Sequence, residues 1–344
     1  MEYGCVQQLV SLPRGAVLEE LQGFLARSGL RWAPGIQHTA LVRDGAGRII
    51  AAASLEENVI KCVAVDPEHR GEELTAAVLT PLRHLALEEG RRRLFLYTKP
   101  ENGAQFTPLG FHRVAQTGEV LLMEDRRGGF AAWAASVRPA GCAGVVGAVV
   151  MNANPMTVGH LYLVEQAAGQ CDHLCLLVVS EDRSAVPAAD RRALVEEAAA
   201  HLGNVSVAGT EDYLISSATF PDYFLKERQS GQAVWAELDA AVFCRLAGEA
   251  GITRRFVGSE PFCPVTRSYN STLARMLPEH GVELIELPRL ERQGTPVSAT
   301  AVRELVRAGE WEAIRPLVPE AVYRWFAGGE NRARFLERLE RFSV

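Results

Sequence analysis

Lysine is nearly missing from this chain. Lys61, Lys99 and Lys226 are the whole supply in 344 residues, and arginine provides the rest of the positive charge. Codon bias is the plain reading of that shortage. Excess positive charge is missing too. The net charge is −6, so there is no electrostatic case for generic binding to nucleic acid or an anionic membrane. No apolar run reaches the roughly 18 residues of a membrane span, and no secretory signal pattern is present. The seven cysteines lack paired spacing. A disulfide framework is therefore not expected, and a reducing cytoplasm is. Cys171, His173 and Cys175 lie close together, but "HLCLLVVS" reads as a buried strand. No second ligand pair with zinc-type spacing follows, so no protein metal site is expected. Internal repeats and low-complexity tracts are absent as well.

What remains is an ordinary globular balance, with 48% apolar and 23% charged residues. That is material for two cores. Residues 1–140 hold 16 basic and 16 acidic side chains, so the whole negative excess falls in residues 141–344. An acidic half that binds a polyanion needs local, placed cations. The clearest seam is "EDRRGGFAAWAASVRPAGCAG", residues 124–144, which puts a boundary near residue 140. The expected domains are 1–140, 141–310 and a helical extension over 311–344.

The first half reads as successive strands over 38–67 with a hairpin turn at "RDGAG". A helix follows with Leu74, Val78, Leu82 and Leu85 on one face, ended by Gly90. A strand near 93–99, a short helix over 102–110 and a strand near 118–124 complete an α+β order. The second half alternates. Strands are expected at 144–151, 173–180, 204–209, 254–258 and 282–287. Helices are expected at 159–170, 190–202, 219–230, 235–250, 269–280 and 299–308. Alternation of this kind predicts a parallel α/β sheet, and 311–342 reads as an amphipathic helical tail.

The stretch "VVMNANPMTVGH", residues 149–160, ends a fully apolar strand on polar and turn-forming residues. In open α/β sheets, ligands bind beyond the carboxyl ends of strands. A helix start there offers free N–H groups and partial positive charge, which attract phosphate. Gly159 allows close approach, Thr157 can cap or donate, and His160 sits in the first turn. A second helix start, "PVSATAVREL" at 296–305, brings the hydroxyls of Ser298 and Thr300 and, one turn later, Arg303. Each stretch alone also reads as plain helix capping. Together they are the first and last anion sites of one sheet domain.

The pair TxGH and "VSATAVR" resembles the HxGH nucleotidyltransferase superfamily. "GAVVMNANPMTVGHLYLVEQAA", "DYLISSATFPDYFLK" and "RRFVGSEPFCPVTRSYN" make the resemblance closer, to the citrate lyase ligases. That family implies an N-terminal acetyltransferase-like module followed by a Rossmann-like catalytic domain. It implies activation of acetate by ATP to acetyl-AMP with release of pyrophosphate. The acetyl group then passes to the thiol of the prosthetic group on the acyl-carrier subunit of citrate lyase. On this reading Thr157 and His160 donate to the phosphates, and Ser298, Thr300 and Arg303 hold the β/γ-phosphates. Lys226 neutralises the leaving group, and Asn152 and Asn154 line the strand end. Gly258 and Glu260 fit the adenosine side, and Mg²⁺ accompanies the ATP. No enzyme nucleophile is needed, because the task is positioning and charge stabilisation.

"VDPEHRGEELTAAVL" and "YTKPENGAQFTPLGF" resemble the GNAT acetyltransferases. The pyrophosphate-binding turn begins at Arg70 and Gly71, but Glu73 and Thr75 replace the Gly and Gly/Ala of that pattern. A carboxylate within a backbone anion nest repels pyrophosphate, so tight acetyl-CoA binding is not expected there. Two other readings remain open at this point. One is a cofactor adenylyltransferase acting on pantetheine phosphate or a mononucleotide. The other is a non-catalytic scaffold with decayed transferase modules.

Overall fold

The computed structural model describes residues 6–33, 35–69, 72–214, 231–260, 263–292 and 294–342. The chain divides into two compact units. One comprises Met1–Gly129 with Thr219–Leu238, the other Phe130–Ala218 with Asp239–Val344.

Among the described residues of the first unit, seven strands form one mixed sheet. They are β1 (Val6–Ser11), β2 (His38–Arg43), β3 (Ile49–Glu56), β4 (Val59–Val65), β5 (Phe95–Thr98), β6 (His112–Gln116) and β7 (Leu121–Glu124). The order is β1-β2-β3-β4-β5-β7-β6. All neighbours are antiparallel except β4 and β5, which pair in parallel at Val59–Phe95 and Ile60–Leu96. The expected turn between β2 and β3 forms because Asp44 Oδ1 accepts from the Ala46 and Arg48 N–H groups, at 3.0 and 2.9 Å. Gly47 supplies the left-handed φ of +82° that the turn requires.

Helices α1 (Gly15–Arg27) and α2 (Glu72–Glu88) pack on β3. The α2 stripe is as expected: Val78 and Leu82 are fully buried, and Leu74 and Leu85 are partly so. The short α3 (Gly103–Phe106) follows β5. Helix α1 and strands β1 and β6 were not expected from the sequence. Nor was α4 (Gly129–Val137), which belongs to the second unit from Phe130 onward and occupies the stretch read as a seam. Its Phe130, Trp133, Ala134 and Val137 are buried at i, i+3, i+4 and i+7 spacing. Glycine- and arginine-rich flanks masked that stripe.

The second unit holds β8 (Val146–Met151), α5 (Val158–Ala168), β9 (His173–Val178), α6 (Ala188–Ala199) and β10 (Val205–Gly209). Helix α7 (Gly231–Ala250), which belongs to this unit from Asp239 onward, β11 (Arg254–Gly258), α8 (Pro264–Met276) and β12 (Glu283–Leu287) follow. The five strands are parallel in the order β10-β9-β8-β11-β12. The parallel α/β sheet expected from the alternation is present. The chain runs outward from β8 to β9 and β10, then returns to the other side of β8. That reversal makes the carboxyl ends of β8 and β11 a topological switch point.

Helices α9 (Ala299–Arg307), α10 (Glu320–Ala327) and α11 (Gly329–Arg341) complete the unit. They join the same core as β8 and β9. Val302, Val322, Phe326, Phe335 and Leu339 pack with Val149 and Leu176. The rings of Phe326 and Phe335 meet edge to face at 5.0 Å. Each buried aromatic contributes about 1.5–3 kcal/mol, so the tail is part of this core. No helix among the described residues is long and apolar enough to cross a membrane.

Candidate active site

Strand β8 is apolar and almost wholly buried, and its carboxyl end opens into Asn152-Ala153-Asn154-Pro155. Ala153 takes a left-handed φ of +50° although it carries a Cβ, and the Asn154–Pro155 bond is cis. A positive φ at alanine is strained and must be held by its surroundings. Two arginines hold it here. Arg191 donates to the carbonyl of Asn152 at 2.9 Å, and Arg303 to the carbonyl of Asn154 at 2.8 Å.

Thr157 then caps α5. Its hydroxyl accepts from the His160 N–H at 3.3 Å, and its own N–H donates to His160 Nδ1 at 3.0 Å. The Thr157 hydroxyl lies 2.9 Å from the same ring nitrogen. Nδ1 therefore serves as an acceptor, which puts the ring proton on Nε2. Burial, and then the charge of Arg289, push the imidazole down to about 4. His160 is thus neutral near pH 7 and offers one donor, Nε2–H.

The second helix start behaves in the same way. Ser298 caps α9 by accepting from the Ala301 N–H at 3.1 Å. Arg303 also donates to Thr300 Oγ1 at 2.9 Å, so two bonds fix its guanidinium. Asn154 turns its Oδ1 to the Val186 N–H at 2.9 Å.

These elements enclose a cavity of about 530 Å³ lined by Asn152, Asn154, His160, Thr300 and Arg303. That volume lies in the range of small-molecule sites. Arg183 and Arg307 add positive charge to the wall against the single carboxylate of Glu304. A placed cationic site therefore exists inside the acidic half. Leu339 and Phe342 supply an apolar section. Arg338 ties α11 to the β9–α6 loop, donating to the Ser184 and Asp182 carbonyls at 2.9 Å each.

The other residues singled out by sequence stand elsewhere. Thr157 is 1% exposed and Ser298 half-buried; both are caps and neither lines the cavity. At Gly159 an added Cβ would lie 3.4 Å from the Val297 carbonyl, so this glycine brings the two helix starts close together. Gly258 accepts from Asn270 Nδ2 at 3.2 Å, and Glu260 pairs with Arg289. Neither lines the cavity. Glu73 is exposed and Thr75 buried, both in the first turn of α2. Lys226, with the helix expected over 219–230, and Arg70 and Gly71 lie outside the described residues.

Arg183, Arg191, Arg307, Arg338, Leu339 and Phe342 were missed by sequence reasoning. Arg191 had a signal. It shares the core stripe of α6 with Leu194, Val195 and Ala199, an unusual position for a charge.

The family model for the citrate lyase ligase C-terminal domain matches residues 146–326, which run from β8 through α10. A [citrate [pro-3S]-lyase] ligase of Klebsiella pneumoniae is 44% identical over 289 residues, 81% of this chain and 84% of that protein. The chain belongs to the citrate lyase ligase family. A second member, from Escherichia coli K12, is 41% identical over 280 residues, 79% of this chain and 80% of its own. Among solved structures, an acyl-CoA N-acyltransferase from Pseudomonas aeruginosa aligns with a TM-score of 0.31 and 14% identity, covering 36% of this chain and 99% of its own. The family match takes in Asn152, Asn154, His160, Thr300 and Arg303 and stops short of Leu339 and Phe342 on the α11 side of the cavity.

Proposed function

We propose that the cavity at the end of β8 binds ATP and acetate and joins them as acetyl-AMP. As a citrate lyase ligase, the chain acetylates the prosthetic group of citrate lyase, and ATP drives the reaction. The observation that carries the cavity assignment is the convergence of His160 and Arg303, from two helix starts, on one cationic site. In the first step an acetate oxygen attacks the α-phosphorus, the bond to the β-phosphate oxygen breaks, and pyrophosphate leaves. In the second, the thiol of the prosthetic group on the acyl-carrier subunit attacks the acetyl carbonyl. AMP leaves, and the thiol proton is released.

His160 Nε2–H donates to the phosphate that gains charge, while Nδ1 stays committed to the cap. A neutral imidazole suits a fixed donor, since it titrates far below neutral pH. Arg303 and Thr300 hold the β- and γ-phosphates. Thr157 and Ser298 act on the phosphates indirectly, by holding those helix starts in place. Asn152 and Asn154 line the strand end. Gly258 and Glu260 serve the adenosine side at the neighbouring β11, and Arg289, paired with Glu260, also lowers the basicity of His160. Lys226 keeps its role beside the leaving group on the sequence alone. Mg²⁺ arrives as part of the MgATP substrate, where it shares the phosphate charge. The first 140 residues dock the carrier subunit or its pantetheine arm.

The test is ATP–pyrophosphate exchange with acetate, with pantetheine phosphate, or with neither. Exchange that depends on acetate supports the reading. Exchange that depends on pantetheine phosphate would make the chain a cofactor adenylyltransferase, and none at all would leave a scaffold.

A further inference from the structure

Arg191 is the largest fully buried side chain among the described residues. It reaches from α6 to the back of the β8 loop. One guanidinium nitrogen donates to both the backbone carbonyl and the Oδ1 of Asn152, and the other to the Glu181 carbonyl. Arginine has donors only. The Asn152 amide is therefore held with its oxygen inward, and its Nδ2 must face the other way. Nδ2 donates to Ser184 Oγ at 3.2 Å. A 3.4 Å approach of Ser184 Oγ to Asn152 Oδ1 is the longer and weaker alternative. Asn152 is exposed, and both residues line the cavity. Its remaining Nδ2–H and the Ser184 hydroxyl proton are then available to an acceptor.

Why should a protein bury an arginine here? Burial depresses the guanidinium, to about 10, so its placement costs solvation. An apolar side chain would fill the same space but would leave the amide of Asn152 free to flip. A flipped amide offers a lone pair to the cavity and repels an anion. We propose that Arg191 is a positioning residue. By locking Asn152 Oδ1 it makes the Asn152 amide a fixed donor, which with Ser184 receives an anionic oxygen of a substrate. The anion is the acetate carboxylate or an ATP phosphate. The proposal rests on the reading of this cavity as the ATP and acetate site.

The experiment is a double-mutant cycle on the full chain. R191M, N152A and the double variant are assayed for kcat and for KM of acetate and of ATP by pyrophosphate release. Each single change is expected to raise KM for one of the two substrates about tenfold and to leave the other within about threefold. The double variant is expected to be no worse than about tenfold, since both changes remove one interaction. The substrate whose KM moves identifies the anion. Losses that multiply to about a hundredfold overturn the proposal, as does an N152A enzyme with both KM values unchanged. If R191M does not fold, N152D carries the test. It keeps a partner for Arg191 but puts a carboxylate oxygen where the donor stood. KM values for both substrates within about threefold of wild type would sink the proposal. Failure of the cavity reading is distinguishable, because R303A would then retain full acetate-dependent exchange.

Discussion

Arg303 donates to the carbonyl of Asn154 across 149 residues of chain, at 2.8 Å. This bond joins the two helix starts into one site and helps hold the strained turn at Ala153. The same guanidinium is braced by Thr300, so its remaining donors have a fixed direction. Arg303→Ala is expected to lower acetate-dependent pyrophosphate release about a hundred- to a thousandfold. Arg303→Lys should recover little of it, because an ammonium cannot reproduce the two-direction fork.

His160 commits Nδ1 to the cap of α5, and in the proposed reaction its Nε2–H is the phosphate donor. His160→Ala removes both functions. It should cost about 1 kcal/mol of stability through the cap and about a hundredfold or more in rate through the lost donor. Calorimetric melting and pyrophosphate release measured on the same sample separate the two. A rate within threefold of wild type would leave His160 as a cap only.

The imidazole of His160 lies at about 4 in the folded chain, held there by burial first and Arg289 second, against an ordinary value of 6.5. Between those two values the unfolded chain binds more protons than the folded one. Stability should therefore fall as pH drops from 6.5 towards 4 and stay level above 6.5, as far as this group contributes. The difference in melting temperature between wild type and His160→Ala, followed across that window, isolates the effect. The rate profile should show no limb near 6.5 from this residue.

Thr157 caps α5 and does not line the cavity, so it tests the cap by itself. Thr157→Val keeps the shape and loses the hydroxyl, at a cost of about 1 kcal/mol. Activity should fall with it, because His160 loses part of its bracing. Thr157→Ser should restore both. A valine variant with full activity and normal melting would show that the cap is dispensable.

Glu73 stands exposed in the first turn of α2. A carboxylate there opposes a diphosphate at the helix start. Titration of the full chain with acetyl-CoA is expected to give no saturable heat in the micromolar range. Glu73→Gly should improve binding if charge and bulk at this position are the obstacle.

The sequence by itself determined the class of the fold and marked the two helix starts that meet at the cavity. The five strands of the second unit lie within two residues of their expected ends; the central β8 and β9 are nearly continuous apolar runs, as doubly covered parallel strands should be, and the strand–helix alternation marks the more polar β10, β11 and β12. Capping residues marked both helix starts, since unsatisfied N–H groups demand nearby side-chain oxygens. Helices α1 and α4 escaped notice, the latter because its flanking glycines and arginines hid a short stripe.

Only the tertiary structure decided which hydroxyls are engaged in caps and which side chains line the cavity. Thr157 and Ser298 look like phosphate ligands in the sequence, yet each hydroxyl accepts from its own helix. Arg191 looks like one more surface arginine, yet it is fully buried behind Asn152. Leu339 and Phe342 come from the far end of the chain to wall the cavity. The reason is the same in each case. A residue's local pattern fixes the element it belongs to, but the direction of its donors depends on what the rest of the fold packs against it.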